Sequence, residues 1–429
     1  MKPLIPVLCI FGLLLCDAGG AAARSLPPLP TARPASQGIS EARLERLHEF
    51  MQGMTDSGEY LGAVTLVARR GKIVDWRAFG YRDLAKQSPL DPNSIFRIYS
   101  MTKTVASVAV LMLMEEGRFT LEDPIGRYLP EFANMQVFTG GTADAPQLRP
   151  AARPITIRQL LTHTAGFVGG EKEAAEVLKV FERGDLHQSP DLKSFCERLS
   201  RLPLAADPAT RFSYDGASLE VLARLVEVIA GKPFDEFLQQ RILGPLRMQD
   251  TAFSVPVEKR GRIADMTTTD RDGRLTLAAF ASTAVHPGEM LNAYYSGSGG
   301  LYSTAADYVR FCQMLMNGGE LDGVSILGRK TVELMMLNHL THLDPPVNQF
   351  SDAEGFGLGG YVVLDVARRG RPGSPGQFGW SGAGSTYFTI DRAEQLVAIL
   401  MMQHLPQGLP QDPPKISARF YNLVYQSLQ

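Results

Sequence analysis

Leu61-Gly-Ala-Val-Thr-Leu-Val-Ala-Arg69, the pair Arg70-Gly71, and then Ile73-Val-Asp-Trp-Arg-Ala-Phe-Gly-Tyr81 read as two strands joined by a tight turn. A two-stranded hairpin is not stable alone in water, so this one needs further strands. The chain offers them only near its other end. Tyr361 to Val366, Gln377 to Trp380, Ser385 to Ile390 and Gln395 to Met402 are short β-like runs separated by Gly, Pro or Asp-Arg turns. The expectation is an α/β fold in which one largely antiparallel sheet is assembled from both ends of the chain.

Helical signals surround and interrupt those strands. Ser40 can cap a helix whose apolar positions Leu44, Leu47, Met51 and Met54 step by three or four, and Ile416 to Leu428 closes the chain with another. These two are expected to flank the sheet. Between the strand regions come Met101 to Glu116 closed by Gly117, a capping box at Thr156-Ile-Arg-Gln159, Ser218 to Ala230 ended by Gly231, Ala305 to Met316 ended by Asn317-Gly-Gly, and Lys330 to Leu337. The fold is therefore expected as a sheet lobe (residues 40–99 plus 355–429) with an inserted helical lobe (residues 100–354).

The first residues read differently. Met1-Lys2, the apolar run Leu4 to Cys16 and Gly20-Ala-Ala-Ala23 form the pattern of a secretory signal peptide over residues 1–23. A Pro-rich linker follows over residues 24–39, and residues 40–429 form the folded unit. The apolar run falls short of the roughly 20 residues of a transmembrane helix, so the mature protein is expected in the periplasm or secreted, with no stable membrane span. Cys9 and Cys16 lie in the leader, and the bulky Leu15 before Cys16 argues against lipid attachment there. Cys196 and Cys312 are expected as buried free thiols.

Composition narrows the partners. Over 429 residues the chain is 45% hydrophobic and 21% charged, with a net charge of −2. These values exclude a disordered, collagenous or membrane-spanning chain, and the missing basic excess argues against a nucleic-acid partner.

Ser100-Met-Thr-Lys103 is the strongest local chemistry. An S-x-x-K spacing arises about once by chance in a chain of this size, so context decides its weight. Ser100 opens a helix, Lys103 shares its face three residues on, and Val105 to Met114 is apolar nearly all round, as in a buried helix. One reading is a capping serine with a lysine reaching solvent. The other is a Ser–Lys nucleophile–base pair, because desolvation disfavours a charged ammonium. Two further motifs fail their context. Gly379-Trp-Ser381-Gly-Ala383 lacks the last glycine and the following helix of a nucleophile elbow, and Gly355-Phe-Gly-Leu-Gly-Gly360 precedes a strand instead of opening a helix. The glycines of the second are expected to serve a tight loop or close packing. His163 reads as a turn or structural residue, and no metal-binding spacing is present.

Phe96-Arg-Ile-Tyr-Ser-Met-Thr-Lys-Thr104, Leu160-Leu-Thr-His-Thr-Ala-Gly-Phe167, Gly244-Pro-Leu-Arg-Met248, Gly297-Ser-Gly-Gly-Leu301 and Gln377-Phe-Gly-Trp-Ser-Gly-Ala-Gly384 together resemble the serine β-lactamase-related hydrolases. That superfamily includes class C β-lactamases, DD-peptidases and family VIII carboxylesterases, and the similarity spans about Ser40 to Gln403. The resemblance implies Ser100 as nucleophile, Lys103 and Tyr214 as its proton relay, and the backbone N–H groups of Ser100 and Ala383 as oxyanion donors. Tyr214-Asp-Gly216 stands at the family's Y-x-N, with glycine replacing the asparagine. Trp380-Ser381-Gly382 stands at K-T-G, with an aromatic wall replacing the cation that recognises a carboxylate. The family VIII carboxylesterases carry W-x-G there, so the resemblance implies a cofactor-free hydrolase of small neutral esters. The alternatives are a β-lactamase or D-amino-acid peptidase of the cell wall, and a non-catalytic envelope binding protein of the same fold.

Overall fold

A computed structural model describes residues 28–170, 173–278 and 287–429. The expected leader, Cys16 and the first residues of the linker lie outside the described residues. Along the chain, α1 (Glu41–Asp56), β1 (Gly62–Arg69), β2 (Lys72–Gly80), α2 (Thr102–Glu115), α3 (Ala217–Ala230), α4 (Ala305–Met316), β3 (Glu354–Phe356), β4 (Tyr361–Val363), β5 (Phe378–Gly382), β6 (Thr386–Asp391), β7 (Leu396–Met402) and α5 (Ser417–Tyr425) carry the site.

The seven strands form one sheet in the order β3-β4-β5-β6-β7-β1-β2, every neighbouring pair antiparallel. The hairpin turns on Arg70 and Gly71, whose φ values of 54° and 74° suit a type I′ turn that matches the twist of its strands. Its missing partner is the last strand: β1 runs against β7 with Ala63 opposite Met402 and Leu66 opposite Ile399. The expected sheet from both chain ends is thus the sheet observed.

Residue alternation explains why β7 is apolar throughout. Leu396, Ala398, Leu400 and Met402 join a core under α1 and α5, packed with Leu44, Leu47, Phe420 and Val424. Val397, Ile399 and Met401 point to the other face, into the core shared with Val108 of α2, Val309 of α4 and Phe388 of β6. Both faces are covered, so no position on β7 meets water.

Local details differ from the sequence expectation where side chains compete for the backbone. The strand expected to reach Val366 stops at Val363, because Asp365 accepts from Arg368 N at 2.9 Å and caps a short helix over Val366–Arg369. The edge strand β3 was hidden among glycines. Two small hairpins, Gln136–Gly141 with Pro146–Pro150 and Thr267–Thr269 with Leu275–Leu277, decorate the helical region unannounced by the sequence. Cys196 and Cys312 are buried free thiols, and burial pushes both well above the ordinary thiol range. Among the described residues no helix is long and apolar enough to cross a membrane.

A charged hydrogen-bond chain ties α1 to the sheet. The nitrogens of the buried His48 lie 2.9 Å from Asp75 Oδ1 on β2 and 2.9 Å from Glu45 Oε2. Burial opposes the imidazolium and Arg77 repels it, but the hydrogen bonds to Asp75 and Glu45 outweigh both and raise its pKa. A raised folded pKa contributes stability that is complete below the unfolded value and fades as pH rises through the folded one. His48→Gln is therefore expected to cost about 1–3 kcal/mol at pH 6, with the gap to wild type narrowing by pH 9. Urea denaturation at the two pH values checks this.

Candidate active site

Ser100 is placed by a brace between the sheet and the chain entering α2. Gln403, just beyond β7, accepts from Arg97 N at 3.0 Å and donates to Arg97 O at 3.1 Å. Tyr99 then takes φ 42°, unusual for a bulky residue, and a single 3₁₀ turn over Tyr99–Met101 leads into α2. Ser100 is left half-buried at the helix entrance. Helix α2 is buried from Thr102 to Leu113, so its first turn carries Lys103 inward and leaves it 4% exposed.

Lys103 Nζ donates to Ser100 Oγ at 3.1 Å and to the Ser298 carbonyl at 2.7 Å. It also lies 5.0 Å from the centroid of the Tyr214 ring. The spacing argument therefore holds: the two side chains share a face and meet. The Ser298 carbonyl is itself held from behind. Glu220, buried on α3, accepts from Ser296 Oγ at 2.5 Å, Ser298 Oγ at 2.6 Å and Gly297 N at 2.8 Å. Burial raises the Glu220 pKa, while those donors and the nearby lysine pull against the rise.

Tyr214 stands in an aromatic cluster. Its ring centroid is 4.6 Å from that of His163, 5.2 Å from Trp380 and 5.5 Å from Phe350, and its hydroxyl accepts from Trp380 Nε1 at 3.1 Å. Among the described residues that hydroxyl bonds neither Ser100 nor Lys103. Its backbone N–H is held by Gln349 Oε1 at 2.9 Å. His163 is more than a turn residue: its Nδ1 lies 3.0 Å from Asp215 Oδ2, and the Asp215 carboxylate also accepts from Ser218 N and Oγ at 2.6 and 2.9 Å. Burial pushes the His163 pKa down against the pull of Asp215. His163, expected as a turn or structural residue, supports the site together with Asp215 and Glu220, and the latter two were missed as such in the sequence. The His163–Asp215 pair is 52 residues apart and the Glu220–Ser298 pair 78, and no local spacing reveals such pairs.

The remaining sequence candidates lie on β5 and the turn after it. Trp380 packs edge-on to Phe356 at 5.0 Å and faces Tyr214. A Cβ on Gly382 would sit 2.3 Å from Ile98 O, so glycine allows the end of β5 to press against the segment carrying Ser100. Ala383 follows, exposed in the turn to β6. Among the described residues neither the Ser100 nor the Ala383 N–H has an acceptor. Ser381 is half-buried, with no histidine or lysine bonded to it among those residues. The glycines of residues 355–360 serve packing, as expected: Gly359, at φ 97°, leaves no room for a Cβ beside Ser107 of α2, and its carbonyl accepts from Thr104 Oγ1 at 2.8 Å. Among the described residues no cluster of three or more His, Cys, Asp or Glu could hold a metal ion.

Comparison with known proteins agrees with this architecture. The model of the family described as Beta-lactamase matches residues 47–418. An uncharacterized protein of Mycobacterium tuberculosis is 35% identical over 359 residues, covering 82% of this chain and 88% of that protein. Esterase EstB of Burkholderia gladioli is 28% identical over 404 residues, covering 89% of this chain and 94% of the esterase. Among solved structures, EstCE1, described as a hydrolase with promiscuous acyltransferase activity, superposes with a TM-score of 0.74 at 24% identity, over 90% of this chain and 99% of its own.

The Glu220 bracket makes a direct prediction. Glu220→Ala strands two buried donors, Ser296 Oγ and Gly297 N, each costing about 1–3 kcal/mol, so stability is expected to fall by about 2 kcal/mol or more. Glu220→Gln keeps an acceptor oxygen and is expected to lose less. Denaturant midpoints of the two variants check the order.

Proposed function

The chain belongs to the beta-lactamase family, and from that premise we propose that it is an exported serine hydrolase that cleaves small neutral carboxylic esters through an acyl-enzyme on Ser100. The observation that carries the ester assignment is the Trp380 Nε1 bond to the Tyr214 hydroxyl. It fills the wall of the site with indole and phenol where penicillin-recognising relatives place a lysine. An ester without a carboxylate needs no cation there, and a wall of Trp380, Phe350 and Phe356 favours an apolar substrate. The likeness to esterase EstB points the same way.

The chemistry follows from the contacts. Ser100 Oγ attacks the ester carbonyl carbon as its proton passes to the Lys103–Tyr214 pair, beginning across the 3.1 Å contact with Lys103 Nζ. The free N–H groups of Ser100 and Ala383 hold the oxyanion, an arrangement whose donors are worth about 10²- to 10³-fold each in rate. As the tetrahedral species collapses, the carbon–oxygen bond to the alcohol breaks and the relay returns the proton to the leaving oxygen. Water then attacks the acyl carbonyl, gives its proton to the same pair, and the proton returns to Ser100 Oγ. Trp380 N–H occupies one lone pair of the Tyr214 oxygen and leaves its O–H free to donate. The leader over residues 1–23 would deliver the enzyme across a membrane before Arg24 becomes the new N-terminus.

Hydrolysis of p-nitrophenyl acetate tests the assignment. Ser100→Ala is expected to fall to background and lose labelling by a fluorophosphonate, Lys103→Ala to lose about 10²- to 10⁴-fold in kcat, and Ser381→Ala to keep a measurable rate. Activity surviving in Ser100→Ala would overturn the proposal. A persistent penicilloyl adduct on Ser100 in intact-protein mass spectra would favour the penicillin-recognising alternative.

A further inference from the structure

A cavity of about 330 Å³ opens beside the Ser100 site, between Val168, residues 181–187, the start of α3 and the loop through residue 298. Apolar side chains form most of its wall, with Val168, Leu186, Phe195, Ala217 and Tyr294 buried and Phe181 half-buried, while the exposed residues Glu182, Asp185 and His187 also line it. Two lining residues join it to the chemistry. Ser298 lines the cavity, and its carbonyl holds Lys103. Gly216 follows Tyr214 by two residues and is exposed to the cavity. Glu220 also borders this space, but its carboxylate is occupied by the three donors of residues 296–298.

Gly216 differs from the glycines that press against the Ser100 segment and α2. Gly382 and Gly359 have no room for a Cβ. Gly216 has ordinary helical angles, φ −88° and ψ −30°, and a Cβ there would meet nothing nearer than Ser298 Oγ at 3.6 Å. Neither backbone strain nor a clash requires a glycine. What its missing side chain provides is open volume at the junction between Tyr214 and the cavity.

We propose that this cavity receives the apolar acyl chain of the ester and that Gly216 sets the largest chain admitted. The assignment rests on the acyl-enzyme reading above. Tyr214 presents its hydroxyl toward Trp380, so the leaving alcohol collects its proton and departs on the Trp380–Phe350 side. The part that stays bonded to Ser100 is directed the other way, past Gly216 and Ser298. At about 30 Å³ per water-sized group the cavity holds roughly ten non-hydrogen atoms, enough for an acyl chain of about six to eight carbons. Each methylene buried there should raise kcat/KM about three- to fourfold.

The test is a p-nitrophenyl ester series from acetate to decanoate on the mature protein and on Gly216→Ala and Gly216→Leu. In wild type, kcat/KM is expected to climb to about the octanoate and then level or fall. The octanoate-to-acetate ratio is expected to drop about threefold in Gly216→Ala and tenfold or more in Gly216→Leu, since a leucine displaces several methylenes from the mouth. Circular dichroism confirms that each variant is folded, and the smaller substitution supplies a graded response if the larger one is not. An unchanged ratio in folded variants that still hydrolyse acetate overturns the cavity assignment and leaves the esterase reading standing. A shift seen with acetate esters of lengthening alcohols, and not with lengthening acyl chains, overturns the acyl direction. If wild type hydrolyses none of these esters, the esterase reading falls and the cavity assignment falls with it.

Discussion

A lysine amine held in the first turn of a helix with almost no solvent around it sets the terms for the rest of this molecule. Lys103 is 4% exposed, bonded to Ser100 Oγ and to the Ser298 carbonyl, and among the described residues no carboxylate pairs with it. Burying an unpaired amine is costly, so its surroundings have to be held in place by something stiffer than a loop. The Ser298 carbonyl is kept in position by the three bonds that Glu220 accepts, and Glu220 in turn depends on α3 packing against α2. Ser100 is held by Gln403 bracketing Arg97 from the end of β7. Helical region and sheet each supply one jaw, and the amine lies between them.

The aromatic side of the site follows the same economy. Tyr214 is gripped by rings from four separate segments: His163, Phe350, Trp380 and, through Trp380, Phe356. His163 is anchored to Asp215, and burial and the nearby Lys103 both disfavour a positive charge on its ring. An amine can share its space with a neutral imidazole at far lower cost than with an imidazolium.

How much of this was legible in the sequence depended on whether the relevant partners were neighbours along the chain. The Ser100–Lys103 pair was visible because an i, i+3 spacing guarantees a shared face. The sheet was visible because a hairpin that cannot stand alone must find strands, and the chain had only one other supply. Trp380, Gly382 and Ala383 came from family likeness; Trp380 meets Tyr214 and Gly382 presses against Ile98 of the segment before Ser100. Glu220 was not legible. It sits within the apolar pattern of α3 as an out-of-place acid, and only folding reveals the three donors it serves. Gly216 was visible as a substitution, but what a missing side chain opens becomes apparent only once Phe181, Leu186, Phe195 and Tyr294 line the cavity that it borders.

The pairing of β1 with β7 also governs how this chain comes into being. Leu66 and Ile399 are direct neighbours in the sheet, yet most of the polypeptide lies between them. Until residue 402 is available, the N-terminal hairpin has a bare edge and an uncovered face, and it is prone to pair with strands from other chains. The sheet is therefore among the last parts to close, and folding is dominated by contacts remote in sequence, which are the slow ones. A ribosome releasing this chain cannot complete the fold from the front. The N-terminal strands must be kept apart from other molecules until the C-terminal ones arrive, and loss of the chain from Leu396 onward would leave β6 and β1 without the strand that joins them.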